Sequence, residues 1–312
     1  MDSDSRIWVA GHKGLVGSAL IRQLNSQGYR NIHFSDIDLR VQYDVYDFVA
    51  SEQPQYVFLA AAKVGGIGFN KEFPADFIYD NLMIQSNVIE ASATTGCVKK
   101  LCFLGTACIY PKHAPVPIKE EYLMTGPLEE TNIGYAIAKI AGLTMCQKYT
   151  EQYGFPTISV MPNNLYGIND NFKLEECHVI PAMIRKFVEA KDKDLPKVTF
   201  FGTGMPTREF LFADDLADGL IFLMNNYNDP KPINIGPNRE VRIMELAYLI
   251  AELVGYEGVI DWDRTKPDGT HRRALDTTKM DALGWKAKTS LEDGLKTTID
   301  WFMENRKTYD RV

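Results

Sequence analysis

The chain is predicted to be an α/β protein with a doubly wound parallel sheet and a smaller C-terminal lobe. Three observations predict this fold. Short apolar runs alternate with longer helical patterns through the first half of the chain, and a glycine-rich turn joins the first apolar run to the first helical pattern. After Met161-Pro162 the loops lengthen and prolines gather. Strands and helices that alternate in this way form a parallel sheet with right-handed crossovers.

The apolar runs of the first half are predicted to be strands, with helices between them. The strands are expected at 6–10, 31–34, 56–59, 100–104 and 157–160, and the helices at 15–28, 44–52, 75–96 and 135–153. Later elements are helices at 178–190 and 245–255 and strands at 198–201 and 233–235, the last of which should rejoin the first sheet. Residues 1–165, with part of 205–240, should form the sheet domain, and 166–312 mainly the second lobe.

The composition argues against a nucleic-acid or membrane partner. The 312 residues carry a formal charge of -7 and an isoelectric point near 5.4, whereas a protein that binds a polyanion needs a basic face. No run reaches the roughly 18 apolar residues of a membrane helix. The polar residues 1–6 lack the basic and apolar regions of a signal peptide, so the protein is predicted to be cytoplasmic.

The cysteines favour the same compartment. Their number is odd, their spacing is wide and no CxxC pair occurs. This pattern fits a reducing cytoplasm better than a disulfide framework or a zinc site, and no metal is expected. The cysteines are Cys97, Cys102, Cys108, Cys146 and Cys177.

A glycine-rich loop follows the first predicted strand and opens the first helix. It reads Gly11-His12-Lys13-Gly14-Leu15-Val16-Gly17. Glycines permit a tight turn and a close approach to a pyrophosphate, and the helix N-terminus supplies free N–H groups. The spacing is GxxGxxG rather than GxGxxG, and such turns also arise for packing alone. At the first turn of a Rossmann-type alternation, however, the loop predicts dinucleotide binding.

The choice between NAD and NADP stays open at this point. An acidic residue at the end of the second strand holds a ribose 2′-hydroxyl, whereas basic residues hold a 2′-phosphate. Asp36 lies near the required distance and favours NAD. Lys13 could pair with a 2′-phosphate or be a solvated side chain on an exposed turn, and Arg40 lies just beyond.

A tyrosine and a lysine four residues apart form the candidate catalytic pair. Tyr135 and Lys139 should share one face of a helix. A nearby ammonium favours the phenolate and is expected to lower the pKa of the phenol. The spacing alone also occurs by chance. Thr106 supports the catalytic interpretation, because it follows the fourth predicted strand, where a sheet of this type presents its ligands.

With these features, the chain resembles the extended short-chain dehydrogenase/reductases, whose catalytic set is Ser/Thr, Tyr and Lys. A closer resemblance, to the GDP-L-fucose synthase family, extends from about residue 7 to about residue 305. The segments that carry it are 60–67 (AAAKVGGI), 108–112 (CIYPK), 135–142 (YAIAKIAG), 164–167 (NLYG) and 178–182 (HVIPA).

The resemblance implies an enzyme that converts GDP-4-keto-6-deoxy-D-mannose to GDP-L-fucose. It implies two epimerisations, at C3 and C5, followed by reduction of the 4-keto group with NADPH, in a homodimer. Cys108 would be the base and His178 the acid, since a thiolate and an imidazole exchange protons near neutral pH. Tyr135, with Lys139 and Thr106, would hold the keto oxygen. Taken singly, Cys108 could be a buried structural thiol and His178 a helix-capping residue.

The resemblance also implies the binding residues. The cofactor would be NADP(H), held by Gly11, His12, Lys13, Gly14, Leu15, Val16, Gly17, Asp36, Ala61, Leu104, Gly105, Lys139, Pro162, Asn164, Leu165 and His178. The GDP-sugar would be held by Lys186, Phe201, Arg208 and Asp276, with Arg208 on the diphosphate, because a guanidinium offers several fixed donors. Alternatively, Arg208 could form a surface ion pair with Asp214 or Asp215.

Two departures from the family pattern and two rival functions complete the prediction. The family commonly has Gly-Ser-Ser-Cys where this chain has Gly105-Thr106-Ala107-Cys108. The segment 35–40 is short and lacks the basic residue that often contacts the 2′-phosphate. The rivals are an NAD-dependent nucleotide-sugar 4-epimerase or 4,6-dehydratase, which would not require Cys108 and His178, and a non-catalytic dinucleotide-sensing protein.

Overall fold

The apolar runs form strands in the computed structural model of the protein, which describes residues 1–308. In chain order the strands are β1 (Ile7–Ala10), β2 (Ile32–His33), β3 (Tyr56–Leu59), β4 (Lys100–Leu104), β5 (Thr157–Pro162), β6 (Asn164–Tyr166), β7 (Lys197–Phe201), β8 (Thr207–Phe212), β9 (Pro232–Ile235), β10 (Glu240–Arg242), β11 (Val259–Asp263) and β12 (Arg272–Arg273). The helices are α1 (Leu15–Ser26), α2 (Gln42–Glu52), α3 (Ile67–Glu72), α4 (Pro74–Thr94), α5 (Ile133–Tyr153), α6 (Val179–Asp192), α7 (Ala213–Asn226), α8 (Ile243–Val254), α9 (Thr278–Ala282) and α10 (Leu291–Asn305).

The central sheet is parallel and has the strand order β2-β1-β3-β4-β5-β9. Helices α1 and α7 pack on one face, and α2, α4 and α5 pack on the other. Because both faces are covered, the inner strands are almost fully buried and their sequences are apolar without alternation. The predicted doubly wound α/β fold is confirmed.

The strand order also locates a crevice. The chain passes from β1 to β2 on one side and then returns to place β3 on the other side of β1. At such a switch point the connections leave in opposite directions, so a crevice opens at the carboxyl ends of the strands. Ligands of open α/β sheets bind there.

The strand predicted at 233–235 rejoins the sheet as β9. It pairs in parallel with β5, with Ile233 beside Val160. Helix α7, which precedes β9 and packs against α1, was not predicted. The sheet is thus completed by a segment that follows much of the second lobe in sequence.

The second lobe is built on short strand pairings. Strand β7 pairs with β11, and β8 lies between β10 and β12 and also pairs with β6. Helices α6, α8 and α10 pack around a third apolar core. Within residues 1–308, no helix is both long enough and apolar enough to cross a membrane.

Candidate active site

The predicted dinucleotide loop lies at the carboxyl end of β1, where two glycines are required. Gly11 has a φ of +94°, and a Cβ there would lie 2.7 Å from the backbone of Ala61. A Cβ at Gly17 would lie 2.0 Å from the carbonyl oxygen of Gly11. Only glycine therefore allows α1 to pack this closely against the end of β1.

The N-terminus of α1 fits an anionic ligand. Gly14 is the N-cap residue, and no side chain caps the helix. A crevice in front of this helix end is lined by Ser35 and Asp36 on one side and by Ala60 and Ala61 on the other. Uncapped N–H groups and the helix dipole favour a negatively charged group. The glycine cradle and these donors fit the pyrophosphate of a dinucleotide.

The remaining predicted cofactor residues lie at neighbouring strand ends. Ala61 follows β3, Leu104 and Gly105 lie at the end of β4, Pro162 ends β5, and Asn164 and Leu165 open β6. The structure therefore brings them to the same edge as the glycine loop. Leu15 and Val16 differ, because their side chains pack into or against the apolar core beneath α1.

Asp36 is held by two neighbours from the glycine loop. Its carboxylate lies 2.6 Å from Lys13 Nζ and 3.5 Å from His12 Nε2. The hydrogen bond from Lys13 lowers the pKa of Asp36 below its usual range. The His12 ring stacks on Phe34 with 4.9 Å between the ring centroids. The acidic and basic candidates for ribose recognition thus lie in one cluster.

Arg40 is already engaged by carboxylates. Its guanidinium contacts Asp38 at 2.8 Å and Asp80 at 3.1 Å. Asp80 also contacts Lys63 Nζ at 3.0 Å, so the charges form a chain along the crevice. Both basic candidates for a 2′-phosphate are thus paired with carboxylates, Arg40 with Asp38 and Asp80 and Lys13 with Asp36. Lys13 is the one that lies on the glycine loop.

The predicted Tyr135–Lys139 pair lies in the first half of α5. Lys139 is buried, and its amine donates a hydrogen bond of 2.9 Å to the carbonyl of Leu104 at the end of β4. The amine lies 6.0 Å from the centroid of the Tyr135 ring and 4.9 Å from that of Phe103. The helix is thereby fixed to the sheet at the edge where the crevice opens.

Thr106 and Cys108 are brought to Tyr135 by a short 3₁₀ turn after β4. The Thr106 hydroxyl accepts a hydrogen bond of 3.2 Å from the backbone N–H of Cys108. Burial is the main reason that the pKa of the Tyr135 phenol is raised; the proximity of Cys108 raises it further, and a hydrogen bond with the Thr106 side chain lowers it. Helix α5, which carries Tyr135, packs against the 3₁₀ turn. Hydroxyl, thiol and phenol therefore form one cluster.

The expected effect of Lys139 on the phenol was wrong. Burial raises the pKa of Tyr135 well above its usual range, and Lys139 does not offset this. The reason is that burial also acts on the lysine and lowers its pKa to about 8. Its amine points to a backbone carbonyl instead of the phenol oxygen. At neutral pH Tyr135 is a protonated hydrogen-bond donor.

His178 is the N-cap residue of α6. The segment before it is held against the loop after β3, because the N–H of Gly66 donates a hydrogen bond of 2.7 Å to the carbonyl of Glu176. His178 as a whole residue is exposed, but the protein packed around its imidazole desolvates the ring, and this burial lowers the pKa of His178. Its side chain does not cap α6, and within residues 1–308 no hydrogen bond or ion pair joins it to Cys108 or Tyr135.

Two predicted substrate residues, Lys186 and Phe201, lie together in the second lobe. The Lys186 amine is 5.8 Å from the centroid of the Phe201 ring, which is 70% exposed. Lys266 Nζ lies at the same distance from that ring. An exposed aromatic ring close to two ammonium groups offers a stacking surface for a planar base.

The other two predicted substrate residues belong to the part of the second lobe where β8 pairs with β12: Arg208 lies in β8, and Asp276 follows β12 in the chain. Arg208 donates to the carbonyl of Thr207 and forms no ion pair within residues 1–308. Its predicted alternative partners are taken, because Asp214 pairs with Arg22 and Asp215 accepts hydrogen bonds from the segment 288–289. The surface ion-pair alternative for Arg208 is therefore wrong.

The sequence reasoning missed Lys266 and Arg273. The loop that contains Lys266 is fastened to the turn after β7, where Asp268 accepts two hydrogen bonds from Thr203. Gly269 of this loop lies against Arg208, since a Cβ there would be 3.2 Å from the guanidinium. The loop thus connects Phe201 to Arg208. The signal that the sequence offered was the high proportion of basic residues in the segment 264–273, which reads RTKPDGTHRR.

Comparison with known proteins defines the class of this site. The NAD dependent epimerase/dehydratase family matches residues 7–236. The chain belongs to this family.

Within the family the chain is similar to GDP-L-fucose synthases over nearly its full length. It is 53% identical to probable GDP-L-fucose synthase 1 of Oryza sativa subsp. japonica, over 97% of this chain and 94% of the relative. It is 47% identical to the GDP-L-fucose synthase of Escherichia coli strain K12, over 98% and 99%. A solved GDP-L-fucose synthetase from Naegleria fowleri bound to NADP superposes with a TM-score of 0.92, at 30% identity over 99% and 95% of the two chains.

Proposed function

We propose that the protein converts GDP-4-keto-6-deoxy-D-mannose to GDP-L-fucose with NADPH, by epimerisation at C3 and C5 and reduction at C4. The observation that carries the proposal is the cluster of Thr106, Cys108 and Tyr135 at the end of β4. A thiol beside a protonated phenol supplies a base and an acid around one keto group. The similarity to named GDP-L-fucose synthases supports the substrate.

The cofactor site has the properties that NADP(H) requires. The glycine loop and the uncapped start of α1 would hold the pyrophosphate, and Lys13 would hold the 2′-phosphate once it leaves Asp36. The reduced nicotinamide supplies a hydride to the keto carbon when it is bound. The NADP-bound Naegleria fowleri relative supports NADP over NAD.

Tyr135 is the proton donor in this proposal. Since its pKa is raised, the phenol keeps its proton at neutral pH and donates a hydrogen bond to the keto oxygen. That bond strengthens as negative charge develops on the oxygen, first as an enolate and then as an alkoxide. Thr106 stabilises the phenolate that remains, and Lys139 fixes α5 to Leu104.

Cys108 and His178 exchange the protons of the sugar carbons. Cys108, beside Tyr135, would remove the proton next to the keto group as a thiolate. His178 would return a proton on the opposite face of the sugar. Its lowered pKa makes the imidazolium a stronger acid and so favours release of the proton to the sugar carbon.

The GDP moiety would lie across the second lobe. Lys186 and Phe201 would face the guanine base, and Arg208 the diphosphate. Asp276 lies on the segment that follows β12 and would line the sugar-nucleotide pocket. We assign residues 1–165 with β9 to cofactor binding and the remainder mainly to substrate binding.

We also infer a cytoplasmic homodimer. The five cysteines are free, which suits a reducing compartment. Helices α4 and α5 pack together and expose large apolar side chains, namely Tyr79, Ile133, Ile137 and Tyr153. Large apolar side chains exposed on two packed helices are typical of a subunit interface. Light scattering should give twice the mass of one chain.

The function is tested in heavy water with GDP-4-keto-6-deoxymannose and NADPH. We expect loss of NADPH absorbance and deuterium at both C3 and C5 of the product. Cys108→Ser should incorporate no deuterium at C3 or C5. The matched variant Cys97→Ser, at a similarly half-buried thiol, should incorporate as much deuterium as the wild type. Unchanged NADPH absorbance at saturating substrate would refute the proposal.

Tyr135→Phe separates an enzyme from a dinucleotide-sensing protein. Removal of the phenolic hydroxyl should lower kcat by about 10²- to 10⁴-fold, because it removes a positioned proton donor. NADPH binding, measured by fluorescence titration, should be retained. Full activity in this variant would contradict the assigned role.

A further inference from the structure

Arg273 reaches from the second lobe to the turn that carries Thr106 and Cys108. Its guanidinium Nη2 donates a hydrogen bond of 2.6 Å to the carbonyl of Ala107 and lies 3.4 Å from that of Tyr110. Ala107 stands between the two site residues. The peptide that leads into Cys108 is thus bonded to a cation 166 positions away in sequence.

The turn that carries Cys108 has only weak backbone hydrogen bonds of its own. It is a single 3₁₀ turn of three residues, Ala107–Ile109, and its backbone bonds of 3.2 and 3.4 Å are long. Hydrogen bonds in 3₁₀ turns have poor geometry, whereas a guanidinium makes a shorter, charge-assisted bond. Arg273 therefore makes the shortest hydrogen bond to this turn.

A second feature of Arg273 is that no carboxylate among the described residues neutralises its charge. Within residues 1–308 it forms no ion pair, whereas the adjacent Arg272 is paired with Glu240 at 2.6 Å. The parallel pairing of β12 with β8 places Arg273 directly beside Arg208. After burial, the proximity of Arg273 is the second reason that the pKa of Arg208 is lowered.

We propose that Arg273 is a positioning residue that holds the Ala107 carbonyl so that Cys108 faces Tyr135. It also couples this turn to the strand that carries Arg208, so that the catalytic turn and the diphosphate-binding strand keep a fixed relative position. The inference rests on the proposed function for the roles of Cys108 and Arg208. It assigns Arg273 a role that acts through Cys108 and not through direct contact with the sugar or the cofactor.

The test compares Arg273→Met, Arg273→Lys and the matched control Arg272→Met. Methionine keeps the aliphatic length but has no donor, and lysine keeps the charge and a donor. We expect Arg273→Met to lower the rate of deuterium incorporation at C3 and C5 by about 10- to 100-fold, as a small misplacement of a reacting group does. The KM for the sugar nucleotide and the Kd for GDP should change less than about twofold. Arg273→Lys should recover most of the rate, and Arg272→Met should match wild type.

A second readout does not depend on turnover. The rate at which iodoacetamide alkylates Cys108, followed by peptide mass spectrometry against pH, should change in Arg273→Met, while alkylation of Cys97 in the same sample stays constant. If the wild-type enzyme does not turn over the substrate, the proposed function fails and this readout still tests the positioning role. If Arg273→Met does not fold, judged by thermal melting, Arg273→Gln takes its place.

Two results would overturn the inference. One is an unchanged deuteration rate together with unchanged Cys108 alkylation in Arg273→Met. The other is a GDP affinity that falls 10-fold or more while the deuteration rate at saturating substrate is retained, which would make Arg273 a diphosphate ligand.

Discussion

Replacing Lys139 by methionine should stabilise the protein. The amine is buried, and its pKa is lowered from 10.5 to about 8. This difference means that keeping the charged form inside the fold costs about 3 kcal/mol at pH 7. Loss of the hydrogen bond to Leu104 removes about 1 kcal/mol in the other direction. Lys139→Met should therefore raise the free energy of unfolding by about 2 kcal/mol at pH 7.

The stabilisation should depend on pH in a definite direction. Below pH 8 the lysine is charged in both the folded and the unfolded state, so the full cost is present. As pH rises from about 8 toward 10.5, the folded protein releases the proton while the unfolded chain keeps it, so the cost falls. At pH 9.5 it is only about 1 kcal/mol, and the variant should match wild type.

Urea unfolding without cofactor, followed by tryptophan fluorescence at pH 7 and pH 9.5, measures this difference. Lys148→Met is the control, because its amine is exposed and, within residues 1–308, pairs with Glu151 alone. Its effect should be small at both pH values. The reasoning is refuted if Lys139→Met is less stable than wild type at pH 7, or if its advantage does not shrink at pH 9.5.

Three further outcomes are expected. Gly17→Ala should lower the free energy of unfolding by about 1–3 kcal/mol, because its Cβ would overlap the Gly11 carbonyl. It should also abolish NADPH binding in a fluorescence titration, and normal binding would contradict the role of the glycine loop. Asp36→Asn should release Lys13 and tighten the binding of adenosine 2′,5′-bisphosphate about 2- to 5-fold in calorimetry. ADP binding should be unchanged or weaker, and equal changes for both ligands would contradict the role of Lys13 in 2′-phosphate binding. Deuteration should fall as pH rises through the lowered pKa of His178, below 6.5, because the imidazole loses the proton it donates; His178→Gln should remove that dependence.

The sheet was predictable because its strands are buried on both faces. Runs such as Tyr56–Leu59 and Lys100–Leu104 have no solvent side, so their sequences carry an unbroken apolar signal. Helix α7 was missed because β8 ends at Phe212 and the helix begins at Ala213 with no glycine or proline between them. Helix α3 has only six residues, too few for a helical period to be recognised.

The candidate site was predictable where a motif and its neighbours lie close in sequence. Thr106, Tyr135 and Lys139 follow from short patterns, whereas Cys108 follows only from the family resemblance. The structure brings Thr106, Cys108 and Tyr135 together. The ionisation of Tyr135 was not predictable, because it depends on how deeply the fold buries both groups. Arg273 was missed for a related reason: it bonds to backbone carbonyls, which leave no trace in side-chain patterns.

The late arrival of β9 bears on how the protein is made. While the chain is being synthesised, β5 has no neighbour on its outer side until residue 235 has left the ribosome. During that interval the growing chain exposes an unpaired parallel edge and the apolar face that α7 later covers. A slow codon between residues 166 and 231 would prolong this aggregation-prone state. A stop codon in the same interval would leave β5 without this neighbour permanently.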